Sequence, residues 1–473
     1  MVVMIADDEG LEERRLAQSL VRLIDSARHR MMAEDPSELV TRITEHLGCE
    51  LAAIPNVSIT FEGWEQVNLH RGVTAYLERW SPEAEWFGLT GQMHGMQNLM
   101  DILAMAGRHG MFQLGAVEYT TAATGPDTAV EVIQFGLVAT RAPSGKPAVI
   151  NIRGPVEHSP QSQCALRVLA ADRETATAVR AEVEELVQAH NVFRSQLLQF
   201  DVSENRGNEL VSFLPRPEVS AGDVVLPAGV LEAVERHVVR DAAASARLRE
   251  HGQHLKRGVL LYGPPGTGKT HTVRYLMSKL TDATVTVLSG RALTKLVPSA
   301  VSLARRFQPS VVVIEDVDLI AEDRSFSDGA TPVLFELLNR IDGVDADTDI
   351  TFILTTNRVD TVERALVDRP GRIDLAVEIP KPDAEGRERL IRLYAAETEL
   401  DLPDVSELVA ATEGVTASFI RELVRRAILG QMEHTTSGRV TLDAPALRRA
   451  LDGLFDERNS LTSSILGRTQ RAT

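Results

Sequence analysis

Thiols are nearly missing from this 473-residue chain: Cys49 and Cys164 are the only two, far apart and without metal-ligand spacing. A disulfide framework and a zinc centre are excluded on that count, since both need clustered or regularly spaced cysteines. Apolar runs are short as well, none approaching the roughly 20 residues that span a bilayer as a helix. The start, Met1 to Gly10, is acidic and lacks the basic flank and apolar centre of a signal peptide, so the expected location is the cytoplasm. Excess basic charge is also lacking. The formal net charge is −17, whereas a surface built to neutralise nucleic-acid phosphates needs a basic field. Nucleic acid is therefore not an expected partner, a local basic channel being the one route left open, and the acidity fits a large assembly kept soluble by its charge. Tryptophan is sparse, and Trp64, Trp80 and Trp86 are read as packing residues.

What is present is enough for more than one hydrophobic core, and a chain of this length is expected to form two to four domains. Residues 1 to 50 carry charged and aliphatic residues at helical spacing, with Pro36 separating two helices. Residues 51 to 213 read as an α+β domain: strand patterns at 115 to 121, 130 to 142, 147 to 153 and 165 to 171, then an amphipathic helix over 173 to 190. Ahead of these, Met93, Met96, Met100, Met105 and Met111 could serve a partner-binding surface, but their apolar spacing suits core packing better. Nothing in this half reads as chemistry. Leu214-Pro215-Arg216-Pro217 breaks the pattern, and 214 to 228 is the expected linker. An α/β domain is expected over 229 to 382, a helical one over 383 to 455 and a flexible tail over 456 to 473.

The second half carries the chemistry. Gly263-Pro264-Pro265-Gly266-Thr267-Gly268-Lys269-Thr270 is a complete GxxxxGK[ST] loop, set between the apolar strand pattern 258 to 262 and a helical pattern. Its glycines let successive N–H groups turn inward at phosphate oxygens, and the following helix adds its positive end. Lys269 supplies a full charge to the β- and γ-phosphates, while Thr270 offers a hydroxyl to magnesium. ATP and Mg2+ are the expected cofactors. Further on, the strand Val311-Val312-Val313-Ile314 ends in Glu315-Asp316: one carboxylate for the magnesium shell, assigned to Glu315, and one to polarise the attacking water, assigned to Asp316. A second strand ends at Asn357, whose amide suits the γ-phosphate or that water. Arg369-Pro370-Gly371-Arg372 brings two guanidiniums suited to charge that grows on phosphate in the transition state.

Three segments in order, Leu260 through Thr270, Leu337-Leu338-Asn339-Arg340-Ile341-Asp342-Gly343, and Thr356-Asn357-Arg358-Val359-Asp360 through Arg372-Ile373-Asp374, resemble the AAA family of ring-forming ATPases over residues 225 to about 435. The resemblance implies a three-layer P-loop α/β core with a C-terminal helical lid, behind the α+β N-terminal domain. It implies a homo-oligomeric ring, a hexamer, with Asn357 as the sensor of γ-phosphate and Arg369 and Arg372 as fingers reaching a neighbour's site. Gly414-Val415-Thr416-Ala417 falls at the lid's nucleotide-facing turn, where the family pattern is Gly-Ser-Gly-Ala. Two further departures stand out. The family order at the acidic strand end is Asp then Glu, and the exchange here shifts each carboxylate by about one methylene; a misplacement of about 1 Å can cost around a hundredfold in rate, so slow or retuned hydrolysis is expected. Lys295-Leu296-Val297-Pro298 stands where translocating members carry an aromatic and a glycine, which counts against a paddle gripping a threaded polypeptide. The expected function is ATP-driven remodelling or disassembly of a protein substrate recruited through the N-terminal domain. The alternatives are a nucleotide-gated scaffold with slow hydrolysis and a nucleic-acid motor.

Overall fold

The structure, a computed structural model, describes residues 37–90, 98–109, 112–156, 163–201, 211–290, 292–318, 345–358, 373–401, 404–433 and 440–465. The chain divides into two compact units, with the main break between Val192 and Phe193.

The first unit is built on an antiparallel sheet of order β1-β7-β6-β5-β2-β3, with β4 paired to β5. Its strands are β1 (Asn56–Glu62), β2 (Trp86–Leu89), β3 (Leu114–Gly115), β4 (Glu118–Ala123), β5 (Ala129–Arg141), β6 (Pro147–Arg153) and β7 (Gln163–Ala170). β6 is buried along almost its whole length, as a strand covered on both faces must be. Ala148, Ile150 and Ile152 turn toward a core completed by helices Gln66–Trp80 and Arg173–Ala189. Val149, one residue out of phase, joins a second core closed by helices Glu38–Leu47 and Leu99–His109. Gly72 lets the first two helices meet, since a Cβ there would overlap Val187. Asp172 caps Arg173–Ala189 by accepting from the Thr175 amide at 2.8 Å. That bond, with those from the Thr175 hydroxyl and Lys146, holds its carboxyl down to about 2. Met100 and Met105 pack at the margin of the second core; Met93, Met96 and Met111 lie outside the described residues. Trp64 is buried, and Trp80 and Trp86 pack against the first core.

The second unit holds a seven-stranded sheet of order β14-β10-β13-β12-β11-β8-β9. Five strands, β10 (Arg257–Tyr262), β11 (Thr284–Leu288), β12 (Ser310–Ile314), β13 (Ile350–Thr356) and β14 (Leu375–Glu378), run parallel in register. Residues of one phase, Val259, Leu261, Val285 and Val313, pack on the helix Lys269–Lys279. The helix Val297–Arg306 packs on β11 and β12, contributing nothing to that cluster, so helices lie on both faces and make three layers.

Two boundaries differ from the sequence expectation. β8 (Leu197–Phe200) lies parallel against β11, and β9 (Val211–Leu214) extends the sheet beyond it. The chain therefore enters the second unit at Phe193, upstream of the expected linker at 214 to 228. Pro215 and Pro217 end an edge strand instead of opening a linker, and Arg216 between them donates to the carbonyls of Met277 (3.1 Å) and Ser195 (2.9 Å), tying the added strands to the sheet. The last helix, Ala444–Ile465, runs past the expected end at 455 into the segment read as a flexible tail. No proline or glycine stands between Gly453 and Gly467 to stop it.

The lid helices Ala384–Tyr394, Ser406–Ala411, Ala417–Met432 and Ala444–Ile465 share their own core, in which Leu390, Ile391, Leu423, Val424, Leu447 and Leu451 meet. Over residues 230 to 250 the chain is helical with interruptions, a π-helical turn at Arg236–Arg240 and a break at Ala244.

Candidate functional site

The phosphate loop sits where β10 hands over to the helix Lys269–Lys279. Gly263, Gly266 and Gly268 all have positive φ, 146°, 78° and 115°, which only glycine adopts without strain. Gly263 is also fixed by a close approach, because a Cβ there would strike the backbone oxygen of Ile379, whose amide bonds Tyr262. The Thr267 hydroxyl donates to the Pro264 carbonyl at 2.9 Å, closing the loop on itself. Lys269 is buried, its Nζ donating to the carbonyls of Gly263 (2.8 Å) and Pro264 (2.9 Å). Burial lowers its pKa, opposed by the charges of Asp316 and Asp318.

β12 lies next to β13, so the acids that follow it and the Asn that follows β13 end at the same edge. The Thr270 side chain lies close enough to the carboxyl of Glu315 to act on its pKa, and Glu315 Oε1 is buried with no hydrogen-bond partner. Burial pushes the Glu315 pKa up, the neighbouring Thr270 hydroxyl pulls it down and the charge of Asp316 raises it further. Asp316 has φ 51°, a left-handed geometry that Asp tolerates better than most side chains. It is held there by its amide bond to Thr355 Oγ1 at 3.0 Å, and the next amide, of Val317, bonds the Thr355 carbonyl at 3.0 Å. Asn357 Nδ2 donates to Asp316 Oδ1 at 3.2 Å. Sequence reasoning passed over Asp318, which is 6% exposed and accepts from the Thr356 hydroxyl (3.0 Å) and the Asn357 amide (3.1 Å). The Glu315-Asp316-Val317-Asp318 spacing was the available signal.

A cleft adjoins the loop on the lid side. Val225, Leu226, Pro227, Pro380, Leu390 and Ala417 line it with Thr267, an apolar slot beside a polar phosphate loop. It was invisible in the sequence, because its walls come from segments more than 150 residues apart. The lid also touches the loop directly: Ser418 N donates to the Gly266 carbonyl at 3.0 Å and Ser418 Oγ to the same oxygen at 3.2 Å. Thr416 caps the lid helix Ala417–Met432. Lys295-Leu296-Val297-Pro298 forms a junction between helices Ala292–Lys295 and Val297–Arg306, with Pro298 in the first turn of the second, where proline is tolerated. Arg369, Arg372 and the segment Leu337 to Gly343 lie outside the described residues.

Residues 259–381 match the model of the "ATPase family associated with various cellular activities (AAA)". The chain carries a single AAA module. An AAA module is a nucleotide-binding module, and the loop geometry above has the form such binding needs. Among relatives, the chain is 39% identical over 198 residues to "26S proteasome regulatory subunit 6A" of Encephalitozoon cuniculi, covering 39% of this chain and 49% of that protein. It is 37% identical over 184 residues to "Proteasome-activating nucleotidase 1" of Halobacterium salinarum, covering 36% and 45%. It is 30% identical over 295 residues to "ATP-dependent zinc metalloprotease FtsH" of Opitutus terrae, covering 59% and 48%. The chain thus spans about half the length of these relatives. Among the described residues no helix is long and apolar enough to cross a membrane, and no group of three or more His, Cys, Asp or Glu could hold a metal ion by itself.

Proposed function

We propose that this chain is an ATP hydrolase that works as a homo-oligomeric ring, a hexamer in the cytoplasm, and remodels or disassembles a protein substrate recruited by its first unit. The observation that carries the reading is the meeting, at one sheet edge, of the Lys269 loop, the buried Glu315 carboxyl with its partnerless Oε1 and the Asp316–Asn357 pair. Relatives whose names join nucleotide use to the proteasome or to proteolysis, with one named a proteasome regulatory subunit, favour a protein as substrate. The loop suits the phosphates, with Lys269 turning from its two carbonyl partners to phosphate oxygens.

The donor set fits magnesium: a hydroxyl and a carboxylate are hard oxygens, and a nucleotide-bound Mg2+ needs only one or two protein ligands beside phosphates and water. The partnerless Glu315 Oε1 is the atom such an ion would satisfy. When bound, magnesium neutralises phosphate charge that builds up during transfer. Glu315 and Thr270 would hold it. Asp316 accepts the proton of the attacking water, and Asn357, already bonded to Asp316, orients that water or the γ-phosphate. Arg369 and Arg372 stabilise the charge in the neighbouring subunit.

One observation favours a second reading, a nucleotide-gated scaffold with slow hydrolysis. The shorter Asp316 carboxylate stands where the family places a Glu, and Asp316 is already engaged by Asn357. Steady-state phosphate release, with and without an unfolded protein substrate, decides between the two. Release that rises with the protein supports remodelling; assembly that follows nucleotide with no release supports the scaffold.

A further inference from the structure

Two strand ends brace each other at this edge. Thr355, near the end of β13, takes the amide of Asp316 on its hydroxyl and the amide of Val317 on its carbonyl, which sets the direction of the acidic pair. The reverse contact comes from Asp318. Its Oδ1 receives both the Thr356 hydroxyl at 3.0 Å and the Asn357 backbone amide at 3.1 Å. Its Oδ2 faces the Asn357 side-chain amide at 3.5 Å, the amide whose stronger bond goes to Asp316 at 3.2 Å. The side chain is almost fully buried, and a buried carboxyl oxygen without such donors costs free energy.

We infer that Asp318 is a positioning residue for nucleotide hydrolysis: it clamps Thr356 and Asn357 so that the Asn357 amide is delivered to Asp316 and the water-activating carboxylate is held in one place. The inference rests on the hydrolysis reading above. Three features separate this role from mere packing. Both Asp318 oxygens are spent on a single dipeptide. That dipeptide ends in the Asn whose amide holds Asp316. Among the described residues, Asp318 reaches the reacting region through Asn357, apart from the long-range charge it places near Lys269. Replacing Oδ2 by an amide, as in Asp318→Asn, leaves Oδ1 able to accept but sets two amide donors against each other at the Asn357 side chain.

The test is a double-mutant cycle on the full chain. Asp318→Asn is expected to lower kcat for ATP about tenfold or more while KM moves by less than about threefold, a loss realised in the chemical step. In an Asn357→Ala background the same change should cost nothing further, because its route of action is gone. Parental kcat in Asp318→Asn, or losses that multiply in the double variant, overturns the inference. A second readout does not need turnover. The Asn357 backbone amide should lose about tenfold or more of its hydrogen-exchange protection in Asp318→Ala, and unchanged protection overturns the inference by itself. A parental protein that releases no phosphate sinks the hydrolysis reading instead, and the exchange measurement still decides whether Asp318 holds Asn357.

Discussion

Lys269 shows how the loop holds a single charge within itself. Its ammonium is buried against two loop carbonyls and near two carboxylates, so it is a charge already desolvated beside the loop. Lys269→Ala removes a charge-assisted contact worth about 1.5 to 3 kcal/mol, roughly ten- to a hundredfold in affinity, and calorimetry with ATP should register that fall. Wild-type-like binding would mean the phosphates lie elsewhere. The two neighbouring acids are expected to fail differently. Asp316→Asn should keep ATP bound and lose about a hundredfold or more in turnover, whereas Glu315→Gln should weaken binding chiefly when magnesium is present. Nucleotide binding titrated with and without magnesium, alongside phosphate release, checks both; identical behaviour of the two variants would erase the division of roles.

At the scale of elements, the site edge of the second sheet depends on an anchor at its other end. Arg257, 6% exposed, opens β10 and pairs with Asp349 just before β13, while its remaining donors reach Thr351, Ser245 and the Asp241 carbonyl. Removing one member of a buried pair strands the other charge, so Asp349→Ala should cost about 3 to 5 kcal/mol. The double change Arg257→Met with Asp349→Leu should cost much less. Denaturation curves of the three proteins decide it, and equal losses in single and double variants would show that the charges are not coupled. In the first unit, the cap Asp172 gives a pH signature. Its carboxyl is held at about 2 against an ordinary 3.8. A depressed carboxyl contributes stability above the unfolded value and loses it as pH falls through the folded one. The stability of the parent should therefore drop between about pH 4 and pH 2 more steeply than that of Asp172→Asn, which still caps but carries no charge.

The whole-molecule claim is the ring, and it is tested by sharing a site between subunits. Arg372→Ala leaves the pocket intact and Lys269→Ala leaves the finger intact. Each alone should lose turnover by orders of magnitude, and the arginine variant should keep near-parental nucleotide affinity. Mixed rings should regain part of the activity that neither homogeneous ring has. Co-assembly without recovery would place the arginine's action within its own subunit, and turnover independent of protein concentration would remove the case for a shared site.

The phosphate loop, the acidic strand end and Asn357 were legible in the sequence because their chemistry is local. A tight glycine turn, a charged residue at a fixed step and a polar residue closing a five- to seven-residue apolar strand are set by bond lengths and side-chain period, so order along the chain is enough to name them. The alternation in β5 to β7 and the helix after Asp172 were readable for the same reason. Tertiary structure alone decided what depends on distant partners. Leu197-Leu198-Gln199-Phe200 is too short to declare which domain it joins, and only its parallel seat on β11 assigns it to the second unit. The apolar slot exists because residues 225 to 227, Thr267 and the lid converge. Asp318 reads as one more acid in an acidic stretch until the pairing of β12 with β13 carries it to Thr356 and Asn357. Sequence sets which groups are available and which local turns they can make; the free energy of burying and pairing them is settled only when strands far apart in the chain lie side by side.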